Sequence, residues 1–277
     1  MFITILILFC WLTNVLSTEM YLRGSESGVT KPYHNENAFV TLLLPTETKS
    51  LKKYTGCTLI FLKSLLQYKK SFDVLVLYTS DVHPDDVALV RSVEGVKMQL
   101  VEKFQNDHID DRSYKPMITK FHLWNLKQYK QIAYYDSDHV FMRDPSGIFE
   151  DCGDASFCAT QDTWINGDYF NAGLLVVRPN ANEYEMLLSK RHLANRRRFA
   201  EQDLLNTIYK NKWKQLDTKY NFMHASRESL KNYVPVCIHE KWWVLREMGL
   251  VEDKWIWNKI INSTMVTTSF DFSFIRV

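Results

Sequence analysis

Four short apolar runs, each set off from the next by a stretch with helical spacing or a turn, constrain this chain more than any other feature. "AFVTLLL" (Ala38 to Leu44) is a buried strand ended by Pro45. "YTGCTLIFLKSLLQYKK" (Tyr54 to Lys70) has helical spacing and a basic end that suits a helix C-terminus. "DVLVLYT" (Asp73 to Thr79) is a second strand, and "HPDDVALVRSV" opens a helix with Pro84 and acids in its first turn. "VKMQLVE" (Val96 to Glu102) is a third strand. Met117 to Tyr129 reads as a helix with Pro116 at its start, and "QIAYYD" is a fourth strand. This alternation implies an α/β fold: a mostly parallel central sheet with helices on both faces. "ASFCATQD", "NAGLLVV" and "VPVCIH" read as three more strands, and "NEYEMLLSKRHL" and "FAEQDLLNTIYK" as two more helices. One domain over residues 38–262 accounts for all of them.

The flanks read differently. Residues 1–16 contain no charged side chain, and cleavage after Ser17 fits a signal peptide, with an uncleaved signal-anchor as the alternative. Residues 18–37 form a polar tether, and 263–277 a C-terminal tail. The expected location is the secretory lumen (Golgi or endoplasmic reticulum) or the outside, with membrane association possible through the N-terminus; the basic run "KRHLANRRRF" (Lys190 to Phe199) reads as a solvated helix end, with contact to anionic lipid headgroups or an acidic acceptor as the lesser alternative. Four cysteines remain after the signal, enough for two disulfides; Cys152 and Cys158 in "CGDASFC" are the favoured pair. Asn262-Ser263-Thr264 is a glycosylation sequon. A net charge of +2 argues against a nucleic-acid partner.

The fourth strand ends in "YYDSDHVF", two carboxylates one residue apart. They repel each other, and desolvation sharpens the repulsion. A divalent cation relieves it, since residues i and i+2 of an extended segment share a face. All-oxygen ligation suits Mg²⁺ or Mn²⁺, which usually also hold substrate phosphates. A second reading makes Asp136 the nucleophile of a haloacid dehalogenase-type phosphatase, because Asp136-Ser137-Asp138-His139-Val140 fits its Asp-x-Asp-x-Val pattern. That motif normally lies on the first core strand, and here three strands precede it. In open α/β sheets ligands bind beyond the carboxyl ends of strands, where this pair sits.

From about Ala38 to His239 the chain resembles glycosyltransferase family 8, the glycogenin-like enzymes. "AFVTL" is similar to the first strand that leads into the uridine pocket, and "MITKFHLWNLKQY" to a helix of the form T-K-x-x-x-W. "YYDSDHVF" matches the metal-binding DxD, and "FNAGLLVVRP" and "EQDLLN" match two later motifs, with Tyr220-Asn221 and His239 following in order. The resemblance implies a GT-A-type nucleotide-diphospho-sugar transferase domain. It would bind Mn²⁺ or Mg²⁺ through Asp136, Asp138 and His239. It would hold a UDP-sugar with Leu42, Arg112, Lys120, Ser137, Asn171, Ala172, Gly173 and Lys241. It places Gln202, Asp203 and Asp162 beside the reacting sugar, with Glu201 as an alternative acid. It implies retaining transfer of a hexose or hexuronic acid to a glycan, protein or lipid acceptor. The family's Gly and Pro after the metal-binding His are absent from "HEKWWVL". A nucleotide- or glycan-binding relative without turnover is therefore the alternative of a different class.

Overall fold

The computed structural model describes residues 35–45, 52–68, 71–105, 115–165, 167–194, 200–223 and 225–240. The expected signal peptide, most of the expected tether, Arg112, Lys241, the Asn262 sequon and the expected tail lie outside these residues. Strands β1 (Asn37–Leu43), β2 (Asp73–Tyr78), β3 (Val96–Leu100) and β4 (Gln131–Tyr135) run parallel. Helix α1 (Lys52–Leu66), helix α2 (Pro84–Arg91) and a 3-10 segment (Lys115–Asn125) lie between them. After β4 come β5 (His139–Phe141), α3 (Ile148–Cys152), β6 (Phe157–Gln161), β7 (Phe170–Val177), α4 (Ala181–Lys190) and α5 (Ala200–Ile208). The described residues end with β8 (Lys214–Leu216), α6 (Arg227–Asn232) and β9 (Cys237–His239).

Seven strands form one sheet in the order β3-β2-β1-β4-β7-β6-β8, and β5 pairs with β9 in a separate antiparallel ribbon. Only β7 runs against its sheet neighbours, so β6 and β8 point the same way as β1 to β4. The chain steps from β1 outward to β3, then returns to the other side of β1 with β4. That reversal opens a crevice beyond the carboxyl ends of β1 and β4.

Strand alternation divides the core between the two faces. Ala38, Val40, Leu42, Ile132 and Tyr134 pack with Phe121, Trp124, Leu187, Leu204 and Leu205 on one face. Phe39, Leu43, Ala133 and Tyr135 pack with Phe61, Leu62, Leu65, Val90 and Phe149 on the other. The sheet is thus covered on both sides, as the near-continuous apolar strands require.

Several elements differ from the pattern reading. The segment after Pro116 is a 3-10 helix, because Ile118, Phe121 and Trp124 recur every third residue and all are fully buried. "VPVCIH" contributes only Cys237–His239, and these residues join the ribbon rather than the main sheet. Strands β5 and β8 and helices α3 and α6 span three to six residues, too short to show a period.

Cys152 and Cys158 form a disulfide, whereas Cys57 and Cys237 are free and buried. The disulfide closes a loop that begins at Gly153, whose φ of 60° an L-residue rarely adopts. Gln131 Nε2 and Arg178 Nη2 donate to the Gly153 carbonyl, and Lys214 Nζ donates to that of Cys152.

At the opposite end of the sheet from the crevice, buried Asp73 opens β2 and binds three elements together. It accepts from Asn35 Nδ2 (2.9 Å), Lys97 Nζ (2.6 Å) and Tyr129 OH (3.1 Å). Burial alone would raise its pKa; the Lys97, Asn35 and Tyr129 donors reverse this, and the value falls below the ordinary one. A depressed carboxylate stabilises the fold above its unfolded value, roughly pH 4, and loses that contribution as pH falls through the lower folded value. Asp73→Asn is therefore expected to destabilise the protein by about 1–3 kcal/mol near pH 7. In thermal melts the gap from wild type should narrow below roughly pH 4; a gap independent of pH would contradict this account.

Candidate active site

The carboxyl end of β4 delivers Asp136 into the crevice, and a tight turn through half-buried Ser137 leads to Asp138 and β5. Tyr134 lies two residues before Asp136, on the same side of the chain, and its hydroxyl donates to Asp136 Oδ1 at 2.5 Å. Lys120 Nζ lies 3.0 Å from the same oxygen. Two donors on Oδ1 turn Oδ2 of Asp136 toward other partners.

Lys120 is 1% exposed, and its ammonium also meets Glu201 Oε1 at 2.9 Å and donates to the Ala172 carbonyl at 3.2 Å. Burial pulls the ammonium's pKa down; Asp136 and then Glu201 more than reverse that and keep it charged. Its three donors are spent within the protein, so Lys120 positions Asp136 from below rather than reaching out to a ligand.

Strand β7 is irregular where it passes this point. Ala159 pairs with Leu175 but Thr160 pairs with Asn171, so residues 172–174 bulge away from β6. Side chains satisfy the displaced backbone. Gln202 Oε1 accepts from the Ala172 amide (2.8 Å), and Asn171 Oδ1 accepts from that of Gly173 (2.9 Å). The Gly173 carbonyl accepts from the Asp136 amide (2.9 Å). Asn206, one helical turn beyond Gln202, bonds both the amide and the carbonyl of Phe170. Buried Asp162, just past β6, accepts from Gln202 Nε2 (3.0 Å) and Asn171 Nδ2 (3.2 Å). Asp203 accepts from Tyr169 OH at 2.6 Å.

The β5–β9 ribbon brings His239 to the pair. His239 Nε2 lies 3.4 Å from Asp138 Oδ1, and the ribbon aligns His239 directly opposite His139. The two imidazoles stack with centroids 4.0 Å apart. His139 is fully buried, with Nδ1 2.9 Å from the Asp136 carbonyl and Nε2 3.0 Å from Asn221 Oδ1. Burial, then His239, lowers its pKa to about 3, so it is a neutral support. Asn221 Nδ2 in turn donates to Thr160 Oγ1 and Asn171 Oδ1.

Among the described residues, the side chains grouped closely enough to hold a cation are Asp138, His139 and His239, with one ligand atom of each within 4.8 Å of the others. Both nitrogens of His139 face oxygens, the Asp136 carbonyl and Asn221 Oδ1, of which a neutral ring donates to one; with the ring turned to these atoms, the ligand atoms left are those of Asp138 and His239, with Asp136 beside them. Gly173 leaves the room they need: a Cβ there would lie 2.5 Å from His239 Cε1 and 2.7 Å from Asn171 Oδ1. The residues fit a divalent ion.

The structure thus gathers Asp136, Asp138, His239, Lys120, Asn171, Ala172, Gly173, Gln202 and Asp162 into one connected set. Leu42 is 7% exposed at the end of β1, on the crevice side of the switch point, and Asp203 stands at the margin through Tyr169. Gln202 has its amide oxygen on Ala172 and its nitrogen on Asp162, which makes it a positioning residue. Tyr134, His139, Thr160 and Asn206 were not singled out from sequence. The i, i+2 relation to Asp136 was the available signal for Tyr134, and the i, i+4 relation to Gln202 for Asn206.

The model for "Glycosyl transferase family 8" matches residues 48–244. The chain is similar to a glycogenin of Neurospora crassa, 30% identical over 145 residues, which are 50% of this chain and 20% of that protein. It is 25% identical over 192 residues to UDP-glucuronate:xylan alpha-glucuronosyltransferase 2 of Arabidopsis thaliana, covering 67% of this chain and 29% of the relative. The chain therefore spans less than a third of the length of either. The crystal structure of the glycosyltransferase GlyE of Streptococcus pneumoniae TIGR4 shares the fold, with a TM-score of 0.55 at 16% identity over 82% of this chain and 64% of that one.

Two substitutions test the geometry. Tyr134→Phe keeps the packing but removes one donor from Asp136 Oδ1, and Gly173→Ala pushes a methyl against the His239 ring. Each is expected to weaken Mn²⁺ binding by roughly 10–100-fold, read from the free-ion electron paramagnetic resonance signal. For Tyr134→Phe the melting temperature should change little; unaltered Mn²⁺ affinity in both variants would break the assignment.

Proposed function

The chain belongs to glycosyl transferase family 8, and on that premise we propose that it moves a hexose or hexuronic acid from a UDP-sugar to an acceptor hydroxyl, with Mn²⁺ and with retention at the anomeric carbon. The observation that supports this reading is the grouping of Asp138, His139 and His239, with one ligand atom of each within 4.8 Å of the others, next to Asp136 at the carboxyl end of β4, the place where open α/β sheets take nucleotides. Family membership sets aside the phosphatase alternative.

Asp138, His239 and the outward oxygen of Asp136 would hold the metal. An imidazole among the ligands favours a transition ion such as Mn²⁺ over Mg²⁺, which prefers oxygen alone. When bound, such an ion offsets the charge of the donor diphosphate and of the departing UDP. The protein's own residues do the orienting. Lys120 and Tyr134 fix the rotamer of Asp136, Gln202 and Asn206 fix the bulge, and Gly173 lets backbone and His239 come close.

Retention in hydrolases uses a carboxylate nucleophile. Here Glu201 Oε1 is held on the buried Lys120 ammonium, and both oxygens of Asp162 are engaged in hydrogen bonds. Family membership implies a same-face displacement in which the leaving phosphate helps take the acceptor proton. The Cys152–Cys158 disulfide supports the secretory location, since disulfides persist in oxidising compartments.

Calorimetry of UDP with the full chain is the deciding measurement. Tight binding is expected only with Mn²⁺ present, and Asp136→Ala and Asp138→Ala should abolish it. UDP binding indifferent to Mn²⁺, or absent in both conditions, would reject the transferase reading. Metal-dependent binding without turnover of any UDP-sugar would favour the non-catalytic relative.

A further inference from the structure

Asn221 follows a 3-10 turn (Thr218–Tyr220) and is 1% exposed, so it presents no surface to the crevice. Its side chain nevertheless reaches both halves of the candidate site. The backbone beside it is tied to β9: the Phe222 amide donates to the Cys237 carbonyl and the His239 amide to the Phe222 carbonyl, each at 3.0 Å. Asn221 and His239 are therefore carried on adjoining backbone.

A backbone group fixes which way the Asn221 amide faces. The Gly173 amide can only donate, and it donates to Asn171 Oδ1 (2.9 Å), so that atom is an acceptor. The Asn221 atom that meets Asn171 Oδ1 at 3.1 Å is then Nδ2, whose other hydrogen goes to Thr160 Oγ1 at 2.9 Å. Oδ1 is left for His139 Nε2 at 3.0 Å. One buried amide thus holds Asn171, Thr160 and His139 together.

Two of these contacts define the slot in which His239 sits. The first wall is the ring of His139, whose centroid lies 4.0 Å from that of His239 with 20° between the planes. That wall is fixed in turn: Tyr135 packs edge-on against the fully buried His139 ring, and the Asp136 carbonyl and Asn221 Oδ1 face its two nitrogens. The second wall is Gly173, where a Cβ would lie 2.5 Å from His239 Cε1. The Gly173 amide is held by Asn171 Oδ1, the atom that Asn221 Nδ2 also bonds. The contacts run in a closed circuit from Asn221 through His139, His239, Gly173 and Asn171 and back to Asn221.

From this circuit we infer that Asn221 is a positioning residue for the metal: it sets both walls of the His239 slot, and so fixes where Nε2 stands against Asp138, without itself touching ion or substrate. The inference rests on the reading of Asp138 and His239 as metal ligands. Residues that orient a ligand from behind typically change metal affinity nearly as much as a ligand does.

Charge and position make opposite demands on one near-isosteric substitution. Asn221→Asp adds a negative charge close to the ligands, which by Coulomb attraction alone would tighten a cation. It also sets a carboxylate oxygen against Asn171 Oδ1, which breaks the circuit. Thr160→Val removes the hydroxyl that anchors Asn221 Nδ2 while keeping the shape, and Thr160→Ser keeps the hydroxyl.

The test measures Mn²⁺ affinity of the full chain from the free-ion electron paramagnetic resonance signal. It also follows, in metal-free protein, the NMR signal of the His239 Cε1 proton, which the ring current of the stacked His139 displaces. Asn221→Asp and Thr160→Val are expected to weaken Mn²⁺ by about tenfold and to move the His239 signal; Thr160→Ser should stay close to wild type in both. Mn²⁺ bound by Asn221→Asp as tightly as by wild type, or more tightly, would overturn the proposal, as would an unmoved His239 signal. A lowered melting temperature with both readouts unchanged would make Asn221 a packing residue and overturn it equally. Should Asn221→Asp fail to fold, the Thr160 pair decides, and equal Mn²⁺ affinity in the Val and Ser variants would overturn the proposal. If the His239 signal moved as expected but the wild type bound no Mn²⁺, the metal reading would fail while the positioning of His239 stood.

Discussion

A buried ammonium organises this molecule. Lys120 sits at 1% exposure, where an uncompensated charge would be too costly for the fold to bear. Its partners must therefore be in place whenever the chain is folded. Those partners are Asp136 after β4, Glu201 of α5 and the Ala172 carbonyl of β7. One charge thus fixes the 3-10 segment, the parallel half of the sheet, the reversed strand and a helix from the other half. The residue that presents Asp136 is held by forces internal to the core.

The bulge in β7 follows from the same demand. Regular pairing with β6 would use the Ala172 and Gly173 backbone groups in ladder hydrogen bonds and leave Lys120 without its carbonyl. By leaving the ladder at residues 172–174 the strand frees those groups, and Gln202, Asn171 and Lys120 satisfy them instead. This accounts for so many amide side chains in an otherwise apolar region. Gln202, Asn171 and Asn206 bond the backbone of this stretch where a strand partner is missing. Asn221 extends the network to His139, and His139 supports both the Asp136 carbonyl and the stacked ring of His239.

Much of this was legible in the sequence, for identifiable reasons. β1 to β4 and the helices between them repeat an apolar pattern long enough to read, and burial on both faces of β1 and β4 leaves no competing assignment. The acid pair at the end of β4 is a local signal, because i and i+2 on a strand share a face whatever the tertiary structure. His239 is different. Its place beside Asp138 depends on a three-residue ribbon with β5, and nothing periodic in "VPVCIH" says which strand it will join; ordered resemblance to a family was needed to couple it to Asp136. Lys120 was picked out for the right location but with a different expected contact. A lysine on a helix reads as solvent-facing or ligand-facing, and only the packing of Ile118, Phe121 and Trp124 around it reveals that its charge points inward.

The pair of acids that opened the question now has a physical setting. Asp136 has one oxygen committed to Tyr134 and Lys120, so its repulsion with Asp138 is partly relieved from within the protein. Among the described residues Asp138 neighbours the two imidazoles, and burial keeps His139 neutral. Among the described residues, the carboxylates of Asp136, Asp138 and Glu201 outnumber the one ammonium of Lys120. A divalent ion would balance them, and a diphosphate would then be drawn to the ion's open positions rather than to a basic patch.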